Sequence, residues 1–176
     1  MTENPHIIKW IQSPETFEKG FAMLIDQYKR PLYQSIRRMV VSHDDTDEIL
    51  QITFIKAWKG LSRFRQESSL WTWLYHIAIN VTLDFLTQKK KRKFTHHLPE
   101  HMTQAMDSGF SGTEIQRKLI EAMQQLPDKQ KAVFSMKYFD NMTYEDISKI
   151  TNTSVGALKA SYHLSVKKIE EFLNRL

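Results

Sequence analysis

Apolar residues recur at spacings of three and four along almost the whole chain, the period of an α-helix that buries one face. Between 44 and 61, Leu50, Phe54, Ala57 and Leu61 fall on one continuous side, because residues three and four apart stack along a helix. From 70 to 88, Leu70, Trp73, Leu74, Ile77, Val81 and Phe85 form a core side, and Tyr75, Ile79, Leu83 and Leu86 cover much of the other. That helix is expected to pack on two sides, with a narrow polar stripe of Thr72, His76, Asn80 and Thr87 between them. Near the C-terminus, Val155, Leu158, Tyr162, Val166, Ile169 and Leu173 form a buried face opposite Gly156, Ala157, Ala160, His163, Leu164 and Lys167.

Punctuation divides the remaining pattern. Helices are predicted near 15 to 28, from Pro31, where the first turn has no use for the missing N–H, and from about Asp45 to Leu61. Others are predicted near 113 to 126, near 128 to 139 after Pro127, briefly after Thr143, and at length after Ser154. Thr143 and Ser154 suit N-caps, since their hydroxyls accept from backbone N–H groups that have no partner within the helix. With five Pro, five Gly and no strand pattern or internal repeat, the expected fold is all-α. FTHHLPEHMTQAMDSGFSG, residues 94 to 112, holds a Pro, two Gly and no Lys or Arg. It predicts a flexible linker between two small helical domains, 1–93 and 113–176, the second with a helix-turn-helix.

Charge changes the picture by its placement. Residues 1 to 93 hold fifteen basic side chains against ten acidic, and residues 113 to 176 hold ten against eight. A third of the first domain's cations are Lys89, Lys90, Lys91, Arg92 and Lys93. Such a cluster fits a polyanionic partner or a solvated helix end. The absence of cysteine excludes disulfides and thiolate metal sites and fits a reducing compartment. No apolar run reaches the ~18 residues of a membrane span, and the N-terminus lacks the layout of a secretory signal. A cytoplasmic protein is expected.

Several stretches carry candidate chemistry. Asp44, Asp45, Asp47 and Glu48 crowd the first turn of the 44 to 61 helix beside Gln51, and Ile52, Ile55 and Trp58 form a second apolar strip. The acids would complement the helix dipole at ~0.3 to 1 kcal/mol each, or acids and strip together would dock a protein with basic side chains. In the loop SRFRQESS, Phe64, Arg65, Gln66 and Glu67 lie beside Trp71. Aromatic and Arg planes there would hold unpaired bases, at ~1 to 3 kcal/mol per stacked base, unless Phe64 simply packs on Trp71. The stripe through His76 and Asn80 leads to the Lys89 to Lys93 cluster, an arrangement in which cations hold phosphates and amide or imidazole groups reach bases.

Residues 142 to 169 predict a helix-turn-helix with its turn at Thr151 to Thr153. Small residues at Gly156, Ala157 and Ala160 would let the second helix sink into a major groove about 12 Å wide. Lys159, His163 and Lys167 lie on or beside that face, and Ser154 with nearby N–H groups would hold a phosphate at the helix start. His96, His97, Glu100 and His101 are a sparse metal candidate without a supporting ligand cluster. No phosphate-binding Gly loop or nucleophile arrangement is present, so neither a catalytic site nor a cofactor is expected.

Taken together, these residues resemble an extracytoplasmic-function sigma factor of the sigma-70 family. The likeness rests on Asp44-Asp45, Gln51 and Phe54-Ile-Lys-Ala-Trp58, then on the run from Thr72 to Asn80. It continues with Leu126-Pro127, Tyr144-Glu-Asp-Ile147, Ser154-Val-Gly156 and Lys159. The resemblance implies a non-catalytic initiation factor that binds RNA polymerase core, at the clamp helices of the largest subunit and at the flap. Asp44, Asp47, Glu48, Gln51, Ile55 and Trp58 would serve that contact. Phe64, Arg65, Gln66, Glu67 and Ser68, with Trp71, His76, Asn80 and the Lys89 to Lys93 cations, would engage the melted minus-ten element of promoter DNA. Ser154, Gly156, Ala157, Lys159, Ala160, His163 and Lys167 would lie at the minus-thirty-five duplex. An anti-sigma factor, often membrane-bound in this family, is a further implied partner. The chain departs from the family's usual pattern at Ile52, where an acid is usual, and at His76, Ile79, Ser161 and Leu164, where Arg is usual. The alternative is a stand-alone helix-turn-helix regulator whose first domain dimerises or senses a ligand.

Overall fold

The computed structural model describes residues 5–95 and 113–175, with the side chains of 6–92 and 113–175. Among these residues the secondary structure is helical throughout, and the linker segment 96–112, with His96, His97, Glu100 and His101, lies outside them. The first domain contains α1 (Pro5–Ile11), α2 (Phe17–Val40), α3 (His43–Gly60), a 3₁₀ turn (Leu61–Arg63) and α4 (Leu70–Thr95). The second contains α5 (Glu114–Gln124), α6 (Asp128–Tyr138), α7 (Tyr144–Thr151) and α8 (Val155–Leu173).

Two helices depart from their expected bounds. Pro31 does not open a helix; it sits inside α2, which is continuous. Proline within a helix costs about 3 kcal/mol, yet Tyr28, Leu32 and Ile36 flank it on one fully buried stripe, and each such side chain returns about 1.5 to 3 kcal/mol. Core burial outweighs the lost hydrogen bond. The second is α1, absent from the expected helices, whose Ile7 and Ile11 are buried. Gly20 admits it: a Cβ there would stand 2.9 Å from the Ile11 backbone nitrogen.

The buried line of α3 is also rotated from its expected position. Thr46, Ile49, Thr53 and Ala57 are fully covered, while Leu50 and Phe54 flank them. Two threonines tolerate that burial because their hydroxyls donate within the helix, Thr46 Oγ1 to the Ser42 carbonyl at 2.6 Å and Thr53 Oγ1 to that of Ile49 at 2.7 Å. Both hydroxyls are thus satisfied on burial, and their methyl groups add to the apolar packing.

α4 is packed on two sides, as its pattern requires. Leu70, Leu74 and Val81 are buried on one side, and Tyr75 and Ile79 on the other. Thr72 leaves the polar stripe and is buried, its hydroxyl 2.8 Å from that of Ser69. Ser69 in turn accepts from the Thr72 N–H at 3.0 Å and caps the helix. In α8 the buried face is Leu158, Ser165 and Ile169. Phe172 takes the inward place expected of Leu173, which is exposed.

The two domains pack against each other. One hydrophobic cluster runs from Ile7 through Leu24, Ile36 and Tyr75 into Met136, Ile147 and Leu158 of the second domain. A smaller cluster around Met123, Phe134 and Ile169 receives Val41, the residue that ends α2.

Candidate nucleic-acid and polymerase interface

The outward side of α3 begins at a well-formed N-terminus. Ser42 caps the helix by accepting from the Asp45 N–H at 3.3 Å. Asp44, Asp47, Glu48 and Gln51 are exposed along the first turns. Ile55 and Trp58 continue that side at 49% and 42% exposure, large for apolar groups of this size. Trp58 is nevertheless held in place by edge contacts with Phe17 at 4.7 Å and Phe21 at 4.8 Å. A rigid aromatic anchor beside exposed acids is what a protein-docking surface requires. Asp45 belongs elsewhere: its Oδ2 pairs with Lys89 Nζ at 2.5 Å, across the seam between α3 and α4. Beside that pair lies a groove of about 320 Å³ that also touches Glu48, Ile52, Lys56, Asp84 and Arg92.

The loop before α4 presents Arg65, Gln66 and Glu67 to solvent. Gln66 takes a positive φ of 57°, which turns the chain sharply there. Phe64 and Trp71 do not meet. Phe64 rests on Trp73, with centroids 5.3 Å apart, while Trp71 sits between Tyr28 at 5.7 Å and Tyr75 at 5.0 Å. The sequence placed Trp71 beside the loop because its position on the helix lies off the main core side; Tyr75 one turn on and Tyr28 of α2 draw it inward instead. Phe64 also borders a groove of about 600 Å³ shared with Phe17, Trp58 and Ser62. Ser68 is half-buried and its hydroxyl donates weakly to the Ser69 carbonyl at 3.4 Å.

Along α4, Asn80 is exposed and His76 is partly covered. Burial pushes the His76 ring below its usual value of 6.5, so it is a neutral hydrogen-bonding group near pH 7. Lys90, Lys91 and Arg92 are exposed on the last turns; the side chain of Lys93 lies outside the described residues. Of the positions departing from the family's pattern, Ile79 is buried at 2% and Leu164 is exposed at 49%.

In the second domain α7 and α8 form the expected helix-turn-helix. Thr143 and Ser154 cap the two helices, accepting from Asp146 N–H at 3.1 Å and Ala157 N–H at 3.3 Å. Asn152 makes the turn with a left-handed φ of 50°, a conformation that Asn adopts more readily than most residues. Ser154, Gly156, Ala157, Lys159, Ala160, His163 and Lys167 are all exposed. The ammonium of Lys159 lies 5.8 Å from the Tyr144 ring centre, which steadies a long side chain at the start of the helix. Among the described residues no group of His and acidic side chains has the grouping of a metal site, and no helix is long and apolar enough to cross a membrane.

A helix-turn-helix joined to a helical domain that carries an acidic and aromatic face and a cationic helix end defines a two-domain transcription protein. Residues 24–92 match the model of Sigma-70 region 2 and residues 116–169 that of Sigma-70, region 4. The chain is 26% identical over 171 residues to the ECF RNA polymerase sigma-E factor of Haemophilus influenzae, covering 90% of each. It is 27% identical over 179 residues to the ECF RNA polymerase sigma factor SigW of Bacillus subtilis, covering 90% of this chain and 91% of that one. Its fold is similar to the sigma factor RpoE in complex with the anti-sigma factor NepR from Bartonella quintana, with a TM-score of 0.72, 21% identity and coverage of 89% of this chain and 98% of that one. CnrH in complex with the cytosolic domain of CnrY is similar with a TM-score of 0.71, 17% identity and coverage of 97% and 96%. The chain belongs to the extracytoplasmic-function sigma factors of the sigma-70 family, the promoter-specific initiation factors of RNA polymerase.

Proposed function

We propose that the first domain docks on the clamp helices of the polymerase largest subunit through Asp44, Asp47, Glu48, Gln51, Ile55 and Trp58. The observation that carries this reading is the outward side of α3, where an anchored but exposed Trp58 and Ile55 continue a row of exposed acids. Desolvated aromatic anchors ringed by charge account for most of the affinity of many interfaces. The same domain holds the melted minus-ten element, with Arg65, Gln66, Glu67 and Ser68 around the bases. His76 and Asn80 offer hydrogen bonds, and the cations from Lys89 to Lys93 hold phosphates. Phe64 borders a groove of a size to take a base, lined also by Gln12, Glu18 and Ser62, while Trp71 packs between Tyr28 and Tyr75 and supports the domain from within.

The second domain enters the minus-thirty-five major groove with α8. Gly156, Ala157 and Ala160 keep that face thin, Ser154 and the helix start hold a phosphate, and Lys159, His163 and Lys167 supply cationic and polar contacts. With Ser161 and Leu164 where Arg is usual in the family, α8 contributes less to affinity than in relatives, and the polymerase and first domain contribute more. The protein acts in the cytoplasm, has no catalytic step of its own, and is held in check by an anti-sigma factor. Two solved structures of similar fold are the sigma factor RpoE with the anti-sigma factor NepR and CnrH with the cytosolic domain of CnrY.

Titrating the purified chain against polymerase core tests this reading. Specific binding is expected, weakened at least tenfold by Glu48→Ala combined with Gln51→Ala. Tight binding to promoter duplex without polymerase, together with indifference to core, would instead establish the stand-alone regulator.

A further inference from the structure

We infer that the chain carries its own latch, a face of α2 and α4 built from Ser35, Arg38 and Tyr75 that captures Asp140 of the second domain and holds the two domains closed. The inference rests on the initiation-factor reading only for its functional consequence; the latch itself stands on geometry. Asp140 lies in the turn after α6 and accepts from three side chains of the first domain. Arg38 Nη2 reaches Oδ1 at 2.5 Å, Tyr75 Oη donates to Oδ2 at 2.5 Å, and Ser35 Oγ donates to Oδ2 at 2.9 Å. Arg38 extends the contact, with its Nε 3.3 Å from Ser135 Oγ and its guanidinium 4.7 Å from the centre of the Phe139 ring. Its own backbone carbonyl accepts from Gln124 Nε2 at 2.9 Å. Burial and the adjacent Asp140 carboxylate raise the Tyr75 phenol well above its usual value, so it stays a proton donor.

A second observation is independent of these polar contacts. Val41 ends α2 with φ at +66°, a left-handed conformation that β-branched residues avoid. Its side chain is buried in the cluster formed by Met123, Phe134 and Ile169 of the second domain. A strained residue of this kind persists only where its surroundings over-determine it; here the Val41 N–H caps α2 by donating to the Arg37 carbonyl at 2.9 Å, and the second domain covers the side chain. The closed arrangement buries the side chain that this helix end turns outward.

Closing has a functional consequence. The two promoter elements lie about 25 base pairs apart, so at 3.4 Å per pair their readers must stand about 85 Å apart on one duplex. Domains that share a core do not reach that far, so both elements are engaged together only after Asp140 leaves its pocket. Closure also turns Lys90, one of the proposed phosphate contacts, toward Asp128 of the second domain at 2.6 Å. The exposed side of α3 stays uncovered, which lets polymerase core dock on the closed chain before the latch opens.

Because the chain has no cysteine, a dye pair placed by Ala22→Cys and Glu171→Cys on exposed positions of the two domains reports the opening by single-molecule energy transfer. The free protein is expected to show one short-distance population. Asp140→Ala or Arg38→Ala should raise the open-to-closed ratio at least tenfold while the helical circular dichroism is retained. Tyr75→Phe, which keeps the buried ring and removes one donor, should give a smaller rise in the same direction and serves if the other variants lose helicity. Core polymerase with promoter DNA should move the unsubstituted chain to long distance. A long-distance free protein, or folded variants whose distribution matches the parent, would overturn the latch. A chain that is latched yet ignores polymerase core would overturn the initiation-factor reading and leave the latch in place.

Discussion

α3 and α8 are both amphipathic helices with a second side turned outward, and they differ in what that side is made of. On α3 it carries acids and two large apolar groups, one of them braced by Phe17 and Phe21. On α8 it carries glycine, alanine, two lysines, a histidine and one exposed leucine, Leu164, which no aromatic group braces as Phe17 and Phe21 brace Trp58. Bulk braced from below suits a partner that can be desolvated against it, as a protein can. A thin face with cations at its edges suits a groove whose walls are phosphate. The braced aromatic group on α3, and acids there against cations on α8, distinguish the two faces.

Substitutions that exchange these properties sharpen the contrast. The largest effect is expected from Trp58→Ala, which should weaken binding to polymerase core about thirtyfold, in the range of interface hot spots of about 2 kcal/mol. Ile55→Ala, with less packing of its own, should cost several-fold with unchanged thermal stability, and Lys159→Ala should leave core affinity untouched. Calorimetric titration with core measures all three. Next in size, replacing Lys90 and Arg92 by Ala should weaken promoter-complex formation across sequences and reduce the slope of log affinity against log salt by about 2. Filter binding over a salt series reads that slope, and an unchanged slope would assign these cations to a solvated helix end.

A gain is expected from Leu164→Arg, which adds a cation to the exposed side of α8 and should raise affinity for minus-thirty-five duplex several-fold. A loss would mean that α8 does not face the groove. The smallest effect concerns pH. Because burial lowers the His76 value in the folded chain, the unfolded chain takes up its proton first as pH falls through about 6.5. Folding stability should therefore decline over that range and level off below the folded value, and His76→Asn should flatten this part of the profile in denaturant titrations at successive pH values.

Much of this was legible in the chain because helical periodicity and capping chemistry are local. Thr143, Ser154 and the turn at Asn152 follow from hydroxyl acceptors and a residue tolerant of positive φ. The two-sided packing of α4 follows from apolar residues on both flanks. What was hidden depends on partners distant in sequence. Pro31 marks a helix start unless its neighbours' burial outweighs the lost bond. Thr46 and Thr53 look polar until their hydroxyls are seen to bond within the turn. Trp71 was placed by its angle on the helix, and Tyr28, which draws it inward, belongs to another helix. Pro5 followed by Ile7 and Ile11, with Gly20 downstream, was the available sign of α1. Asp140, in a polar turn, carries no local sign that it is a half-buried acceptor, since all three donors lie more than sixty residues away.

The central claim, that this chain directs polymerase to promoters, is tested most directly by transcription from genomic fragments with purified core enzyme. Core with the chain should produce discrete run-off transcripts that core alone does not, and the Glu48→Ala, Gln51→Ala double variant should lose them. Promoter-sized duplexes bound by the chain alone, with no transcript added by its presence, would contradict it.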